Sequence, residues 1–408
     1  MSHRVAITGL GLISPLGNDP AQAFERAMAG ESGIALLDES LAGSKPTVGA
    51  QVSFDPAPWF NRMQLSGLDK VSQMAVASSL MAMDDAGITL PEDKSAVGVY
   101  VGCGMGGAGS LDKGFQSFYA DKSRISPLTV IASMANAPAG HISMRLGITG
   151  PGMTYSVACA SSAIALGEAM RAIRSGEVEC AIAGGTEAML MPGIIGAWQS
   201  MQVLATPDAE RPEASCRPYD VRRSGLVLAE GAAFFVLERL DAAVARGARI
   251  YATLDGYANR CDATHITKPD AVGQERAMRA ALRDAGIGAE EVGYCNAHGT
   301  ATKVGDGVEC AALNAIWGEG TPGLRVSSTK SVHGHLLGAT GALEALLTTL
   351  ALHQRRVPPT ANSEQLDDEC AVNHVREGVD APDLCAAISN SFAFGGTNAT
   401  LVLRRFDA

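Results

Sequence analysis

GPGMTYSVACASSAIALGEAMRAIRSG, residues 150–176, is the stretch on which the fold of this chain turns. A β-branched and aromatic run, Met153 to Val157, gives way at Cys159 to small apolar residues, with Glu168, Arg171 and Arg174 along one side and Gly176 at the end. That pattern is a strand feeding a buried helix which a glycine terminates. Cys159 then stands at a helix N-terminus, where unpaired backbone N–H groups and the positive end of the dipole favour a thiolate by about 0.3–2 kcal/mol. At about 1.4 kcal/mol per pKa unit this lowers the thiol by about one unit and makes Cys159 a candidate nucleophile. The plain alternative is packing, because cysteine is among the most buried residue types and this chain has 9.

Downstream, a strand at Cys180–Ala183 runs into GGTEAM, followed by the loop RPEASCRPYDVRRSG, the apolar strand Ala232–Leu237, a charged helix Leu240–Arg246 and a strand Ile250–Tyr257. Upstream lie a short strand Arg4–Ile7, a helix Gln22–Ala29, an irregular Asp55–Phe60 with prolines at 56 and 58, and a helical period over Asp69–Ala86. Strand Val97–Val101 leads into GCGMGGAG, whose Gly102, Gly104 and Gly107 formally match GxGxxG. The following SLDKGFQSFYADKSRISP does not read as a helix opening, which argues against a dinucleotide site.

The order of events then recurs. Strand Val292–Asn296 matches Val97–Val101 in placement, STKSVHGHLLGATGALEALLTTLALHQRR puts a long apolar helix after a loop, and Leu384–Ser389 followed by FGGTN echoes Cys180–Ala183 followed by GGTE. The two halves read as one βα unit used twice, residues 1–249 and 250–408, with His335 in the place of Cys159. His353, Arg355 and Arg356 suit the negative end of the second helix, and Pro358 and Pro359 stop it. Alternating strands and helices imply an α/β fold with a largely parallel sheet covered on both faces.

With 408 residues, 47% apolar and 5% aromatic, the chain can bury one large core or two ordinary domains. A formal charge of −11 argues against nucleic acid or an anionic membrane as partner. Cysteines 103, 159, 180, 216, 261, 295, 310, 370 and 385 form no CxxC pair, so neither a disulfide framework nor a zinc ribbon is indicated and a reducing compartment is expected. MSHRVAITGLGLISPLG lacks the features of a signal peptide, and the apolar run Leu336–Leu352 carries Glu344 and two glycines, which suits a core helix better than a membrane span. The expectation is a soluble, cytoplasmic protein.

Beside Cys159, three spots combine reactive residues with glycine punctuation: CNAHGTATKVGDGVE (295–309), SSTKSVHGHLLG (327–338) and SNSFAFGGTN (389–398). Each falls after a strand or before a helix, where α/β proteins gather functional residues. VACASS, AHGTAT with GDxxE, STKSxxGHLLGAxGA and NSFxFGGTN resemble the signatures of the beta-ketoacyl-acyl carrier protein synthases, decarboxylating condensing enzymes of the thiolase superfamily. VAITGLGLISPLG and RPYDxxRxGxVxxEGA (217–232) look like the same family, so the resemblance covers essentially the whole chain.

The resemblance implies a thiolase-like, five-layered α/β/α/β/α fold from two duplicated halves, and a dimer. It implies that Cys159 is the acylated nucleophile and that His298 and His335 complete the site. Two imidazole N–H donors aimed at the thioester oxygen would stabilise the enolate left when malonyl thioester loses CO₂, one such donor being worth about 10²–10³ in rate. It further implies an oxyanion hole from the backbone N–H groups of Cys159 and Phe394, with Phe394 also the gate. Lys330 matches a site lysine and Glu309 its partner, against the plain reading of a surface lysine and a helix glutamate. Thr300 and Thr302, with Thr267 beside them, match residues that hold the phosphopantetheine arm of an acyl carrier protein. No other cofactor and no metal is implied.

Three departures stand out. Where family members carry several basic residues ahead of the Asp69 helix to dock the carrier protein, this chain has RMQLSG, leaving Arg62, Lys70, Lys122 and Arg124. Ala393 stands where a glycine is usual in the gate, which narrows its backbone freedom. Met105 and Trp198 fall where the acyl pocket is lined, together with Phe394. His333 is not read as a ligand, His3, His141, His353 and His374 read as caps or core residues, and His265 lies near the tunnel mouth. A non-catalytic chain-length partner would lack the nucleophile, although the chain could be the active half of such a heterodimer. A thiolase would need a second cysteine in the C-terminal glycine loop, which reads NSFAFGG.

Overall fold

The structure is a computed structural model that describes residues 3–121 and 124–407. Lys122, one of the expected docking residues, lies outside them.

Ten strands form the main sheet: β1 (Val5–Ile13), β2 (Val97–Gly102), β3 (Gly152–Tyr155), β4 (Cys180–Glu187), β5 (Gly231–Arg239), β6 (Ala252–Cys261), β7 (Val292–Asn296), β8 (Arg325–Ser327), β9 (Ala386–Ala393) and β10 (Thr397–Arg404). Their spatial order is β8-β7-β9-β10-β6-β1-β5-β4-β2-β3. The strands before residue 245 run β3-β2-β4-β5-β1 and those after it run β8-β7-β9-β10-β6, the same order and the same senses. In each set the outer two pairings are parallel and the inner two antiparallel. The duplication read from the sequence is therefore present strand for strand. The expected largely parallel sheet is not: β5 and β10 return antiparallel beside β4 and β9, because each follows a connection that reverses the chain without a crossover helix back onto the sheet. Among the described residues the two sets pair only through β1 and β6, at Val5 with Leu254, Ala6 with Thr253 and Ile7 with Ala252.

Helices complete five layers. On the outer face of the first set, α1 (Lys70–Ala86) and α3 (Ala137–Leu146) bury Val71, Met74, Ala75 and Ile142 against Val97, Val99, Val101 and Phe234. On the outer face of the second, α6 (Ala271–Ala285) and α7 (Lys303–Trp317) bury Met278, Ala281 and Leu313 against Val292, Ile388 and Val402. Between the sets lie α4 (Ser161–Ser175) and α8 (Thr340–Gln354), each packed on strands of both. The α8 residues from Thr340 to Leu352 are all buried, which its nearly uninterrupted apolar sequence requires. The helix ends follow the sequence: Asp69 caps α1 through the Val71 N–H at 3.0 Å, and Gly87, Gly176 and Gly286 close α1, α4 and α6 with positive φ.

Two local expectations are corrected. The residues after the glycines of GCGMGGAG do form a helix, α2 (Ala108–Asp121). Phosphate-like chemistry is nonetheless already taken up there, since the Gly104 and Met105 N–H groups donate to the Glu187 carboxylate at 2.8 and 3.0 Å. His335, moreover, is not the counterpart of Cys159. Cys159 is the middle residue of a tight turn, Ala158–Ala160, and the matching turn in the second half is Leu337–Ala339, whose middle residue is Gly338. Both turns open on a residue in the left-handed region, Ala158 at φ 42° and Leu337 at φ 46°, and both lead directly into a 15-residue helix. His335 lies three residues before that turn's midpoint, where the first half has Ser156.

Candidate active site

The turn after β3 lifts Cys159 to the head of α4, with its side chain 5% exposed. Its Sγ lies 3.0 Å from Nε2 of His335. Nδ1 of that ring meets the hydroxyl of Thr340, the first residue of α8, at 2.8 Å, which leaves Nε2 turned toward the sulfur. The His335 backbone is fixed on both sides: its N–H donates to the Val227 carbonyl at 2.7 Å and its carbonyl accepts from the Ala229 N–H at 3.0 Å.

His298 arrives from β7. Glu309 on α7 reaches back to accept the His298 N–H at 2.8 Å and the Gly299 N–H at 2.7 Å, while Asn390 donates to the same carboxylate at 3.3 Å. Gly299, at φ 24°, has no room for a side chain, since a Cβ there would lie 2.5 Å from the Tyr219 hydroxyl. The His298 ring stands nearly perpendicular to that of His335, at 83° with centroids 5.5 Å apart. The candidate ligand atoms of Cys159, His298 and His335 all lie within 4.8 Å of one another, so the three groups face one point.

Electrostatics keep this triad neutral. Burial first, and then the Lys330 charge, hold both histidines well below the usual imidazole range. Burial pushes the Cys159 thiol up to about 11, against the pull of the Lys330 charge and of the Phe394 and Cys159 N–H groups. The thiolate expected from the helix N-terminus is thus corrected: desolvation of a buried sulfur outweighs the dipole. The backbone N–H groups of Phe394 and Cys159 do converge on the sulfur.

Lys330 is buried and pairs with Glu344 on α8, not with Glu309. Glu309 instead orders the His298 backbone, a job its sequence position did not reveal. Burial raises the Glu344 carboxyl to about 7 against the pull of Lys330. Glu344 had a readable signal, since a lone carboxylate inside an apolar helix requires a buried partner. Asn390 and Thr340 carried none.

A cavity of about 540 Å³ opens onto Cys159, His298 and His335, and Thr267, Thr300, Thr302 and Phe394 also line it. The Thr300 and Thr302 hydroxyls lie 3.0 Å apart. Met105 and Trp198 do not line it: Trp198, on α5 (Pro192–Ser200), stacks on Phe394 with centroids 6.2 Å apart, and Met105 packs on the core that holds Cys159. His265 stands at the mouth with Lys268 and Lys303. Of the docking candidates, Lys70 is tied to Glu230 at 2.5 Å, and Arg62 and Arg124 are exposed. His333 spends both ring nitrogens inside the fold, on the Gly334 carbonyl and the Thr329 hydroxyl, so the HGH sequence offers one usable imidazole, not two.

A duplicated five-layered fold with a cysteine and two neutral histidines facing one buried point defines a thiolase-like condensing enzyme. The beta-ketoacyl synthase N-terminal domain matches residues 2–243, and the beta-ketoacyl synthase C-terminal domain matches residues 251–364. The chain is 39% identical over 409 residues to 3-oxoacyl-[acyl-carrier-protein] synthase 2 of Coxiella burnetii, covering 99% of each chain. It is 38% identical to nodulation protein E of Rhizobium meliloti, covering 99% of this chain and 100% of that one. Among solved structures, the ishigamide ketosynthase/chain length factor superposes with a TM-score of 0.92 at 33% identity, covering 100% of each chain. The chain belongs to the beta-ketoacyl synthase family, and it is a condensing acyltransferase.

Proposed function

We propose that the protein is an elongating beta-ketoacyl-acyl carrier protein synthase in fatty acid or polyketide synthesis, with residues 1–249 supplying the nucleophile and 250–408 the imidazoles. The observation that carries this is the 3.0 Å approach of His335 Nε2 to Cys159 Sγ, with His298 facing the same cavity. In the first half-reaction the Cys159 sulfur attacks the thioester of an acyl carrier protein. The acyl group passes to sulfur, the carrier leaves as its thiol, and the proton of Cys159 goes to that leaving thiolate. The Cys159 and Phe394 N–H groups stabilise the oxyanion.

In the second half-reaction malonyl thioester loses CO₂. The electron pair of the broken C–C bond becomes an enolate, whose oxygen the His298 and His335 N–H groups stabilise. Neutral imidazoles suit that donor role, and burial with Lys330 keeps them neutral. The enolate carbon attacks the acyl carbon and expels the Cys159 thiolate, which lengthens the chain by two carbons. Thr300, Thr302 and Thr267 hold the phosphopantetheine arm, and Phe394, backed by the stacked Trp198 ring, gates the site and shapes the acyl end. Lys330 and Glu309 order the charge and the histidines. No metal or further cofactor takes part.

The working unit is a dimer, either a homodimer or a heterodimer with a chain-length-factor-like subunit, the latter supported by the likeness to the ishigamide ketosynthase/chain length factor. Exposed Phe115, Phe118 and Tyr119 on α2, Val130, Ile131, and Met153 on the sheet-edge strand β3 give such a partner an apolar surface. Nine unpaired thiols support a reducing cytoplasm, and no helix among the described residues is long and apolar enough to cross a membrane.

Intact-mass measurement of the protein and of Cys159→Ala, mixed with carrier proteins bearing acyl groups of graded length, tests the assignment. An acyl adduct on the wild type alone is expected. No adduct with any chain sinks the stand-alone enzyme and points to a missing partner subunit.

A further inference from the structure

The second half of the fold contains its own version of the turn that presents Cys159, and a carboxylate occupies it. Glu187, the last residue of β4, is 0% exposed. Its Oε2 accepts the N–H of Gly338, the counterpart of Cys159, at 3.0 Å and the N–H of Gly104 at 2.8 Å, while Oε1 accepts the N–H of Met105 at 3.0 Å. A Cβ on Gly338 would come within 2.8 Å of that carboxylate and 2.4 Å of the Gly104 nitrogen, so the cradle fits a glycine and an anion together. Burial raises the Glu187 carboxyl to about 7 and the three backbone donors pull against it, so above that pH they make an anion hole filled from within.

The connections run on to both reacting groups. The Gly104 carbonyl accepts from the Ser156 hydroxyl at 3.2 Å, and Ser156 lies three residues before Cys159. Gly338 lies three residues after His335 and begins the path to Thr340, whose hydroxyl fixes the His335 ring. The path Ser156, Gly104, Glu187, Gly338 therefore joins the segment that carries the nucleophile to the segment that carries the imidazole. The Leu337 turn that it grips is strained, at φ 46°, and keeps its shape only if its surroundings hold it. Cys103, at the end of β2, is the titratable neighbour whose thiol feels the Glu187 charge, and burial keeps it protonated.

We propose that Glu187 is a positioning residue: its carboxylate fills the second half's anion hole and thereby sets the distance between Cys159 and His335. The proposal deepens the condensing-enzyme reading, on which it rests for the reaction but not for its test. Glutamine at 187 keeps one acceptor and turns an NH₂ toward a backbone N–H, so the clamp loosens without loss of side-chain volume.

The test is alkylation by iodoacetamide at about pH 8, followed by mass on the Cys159 peptide because Cys261 and Cys385 are also exposed thiols, which reads that sulfur and its imidazole neighbour without any carrier protein. Rates are compared for the wild type, Glu187→Gln, His335→Ala and the double variant. Glu187→Gln is expected to slow alkylation by about threefold or more and to add nothing in the His335→Ala background, because the effect passes through His335. With carrier-bound substrates kcat should fall about ten- to hundredfold while KM stays within about twofold. Ser156→Ala, at an exposed position, should slow alkylation in the same direction and covers the case in which Glu187→Gln does not fold.

Wild-type alkylation rates in both Glu187→Gln and Ser156→Ala would overturn the proposal, as would an equal slowing of Glu187→Gln with and without His335. An enzyme that follows the expected cycle yet accepts no acyl group from any carrier sinks the stand-alone enzyme and leaves the positioning role supported.

Discussion

Lys330 and Glu344 form an ion pair that solvent does not reach, with side chains 1% and 0% exposed, and the ammonium of that pair is the charge that both His298 and His335 feel most after burial itself. One pair thus bears on the packing of the core and on the charge state of both imidazoles at once.

For stability, Lys330→Met leaves a buried carboxylate without its counter-ion, a change that costs about 3–5 kcal/mol. The Glu344 carboxyl is already raised above its unfolded value, so its ionisation in the folded state is unfavourable. Loss of the lysine should therefore hurt more as the pH rises through about 7 and less below the unfolded value. Thermal melts should show the Tm gap between variant and wild type widening from acid to alkaline buffer. A gap that does not change with pH would contradict the pairing.

For chemistry, the same substitution removes a positive charge that opposes imidazole protonation. The acid limb of malonyl-carrier decarboxylation should move to higher pH in Lys330→Met, since the histidines then protonate more readily. An unmoved limb means that Lys330 does not set the state of His298 and His335.

Glu309→Ala frees the His298 and Gly299 N–H groups and leaves two buried donors unsatisfied. Decarboxylation should drop about 10²-fold, while transfer of an acyl group to Cys159, which does not need His298, falls much less. Equal losses in both half-reactions would place Glu309 elsewhere in the mechanism.

The pathway from sequence to site was uneven, and the unevenness has physical causes. The convergence of Cys159, His298 and His335 and the glycine turns were legible because each sits at a strand-to-helix junction, where few residue types fit. The strand pairing was less so: β5 reads as a generic apolar strand, and nothing local says that it returns antiparallel beside β4. The Glu309 partner came from the family resemblance, which says nothing of where the Lys330 ammonium ends up in space, whereas the actual partner lies 14 residues on, in α8. Thiol acidity was misjudged for the opposite reason. The helix dipole is visible in a sequence, but the extent to which the rest of the fold buries the sulfur is not.

That last point is itself measurable. A thiol near 11 predicts that iodoacetamide alkylation of Cys159, followed on its own peptide, keeps accelerating from about pH 7 to about pH 10, without the plateau of a preformed thiolate. A plateau below about pH 8 would show that the dipole and the lysine outweigh burial after all.

Thr300 and Thr302, whose hydroxyls touch at 3.0 Å on the cavity wall, should act on binding rather than on bond making. The double change to valine should raise KM for carrier-bound substrates about tenfold with kcat nearly intact. A loss confined to kcat would remove them from the arm-binding role.

The seam between β1 and β6, three residue pairs long, separates Cys159 on one side from His298 and His335 on the other. The connection across it passes Gly247, which at φ 68° has open space around it and belongs to no strand or helix. A chain interrupted there would be a split enzyme: each piece would keep a full five-stranded set, neither would hold a complete reaction centre, and turnover would report only on their meeting. On the proposed mechanism, activity in this protein is in that sense a logical conjunction: it requires both pieces together.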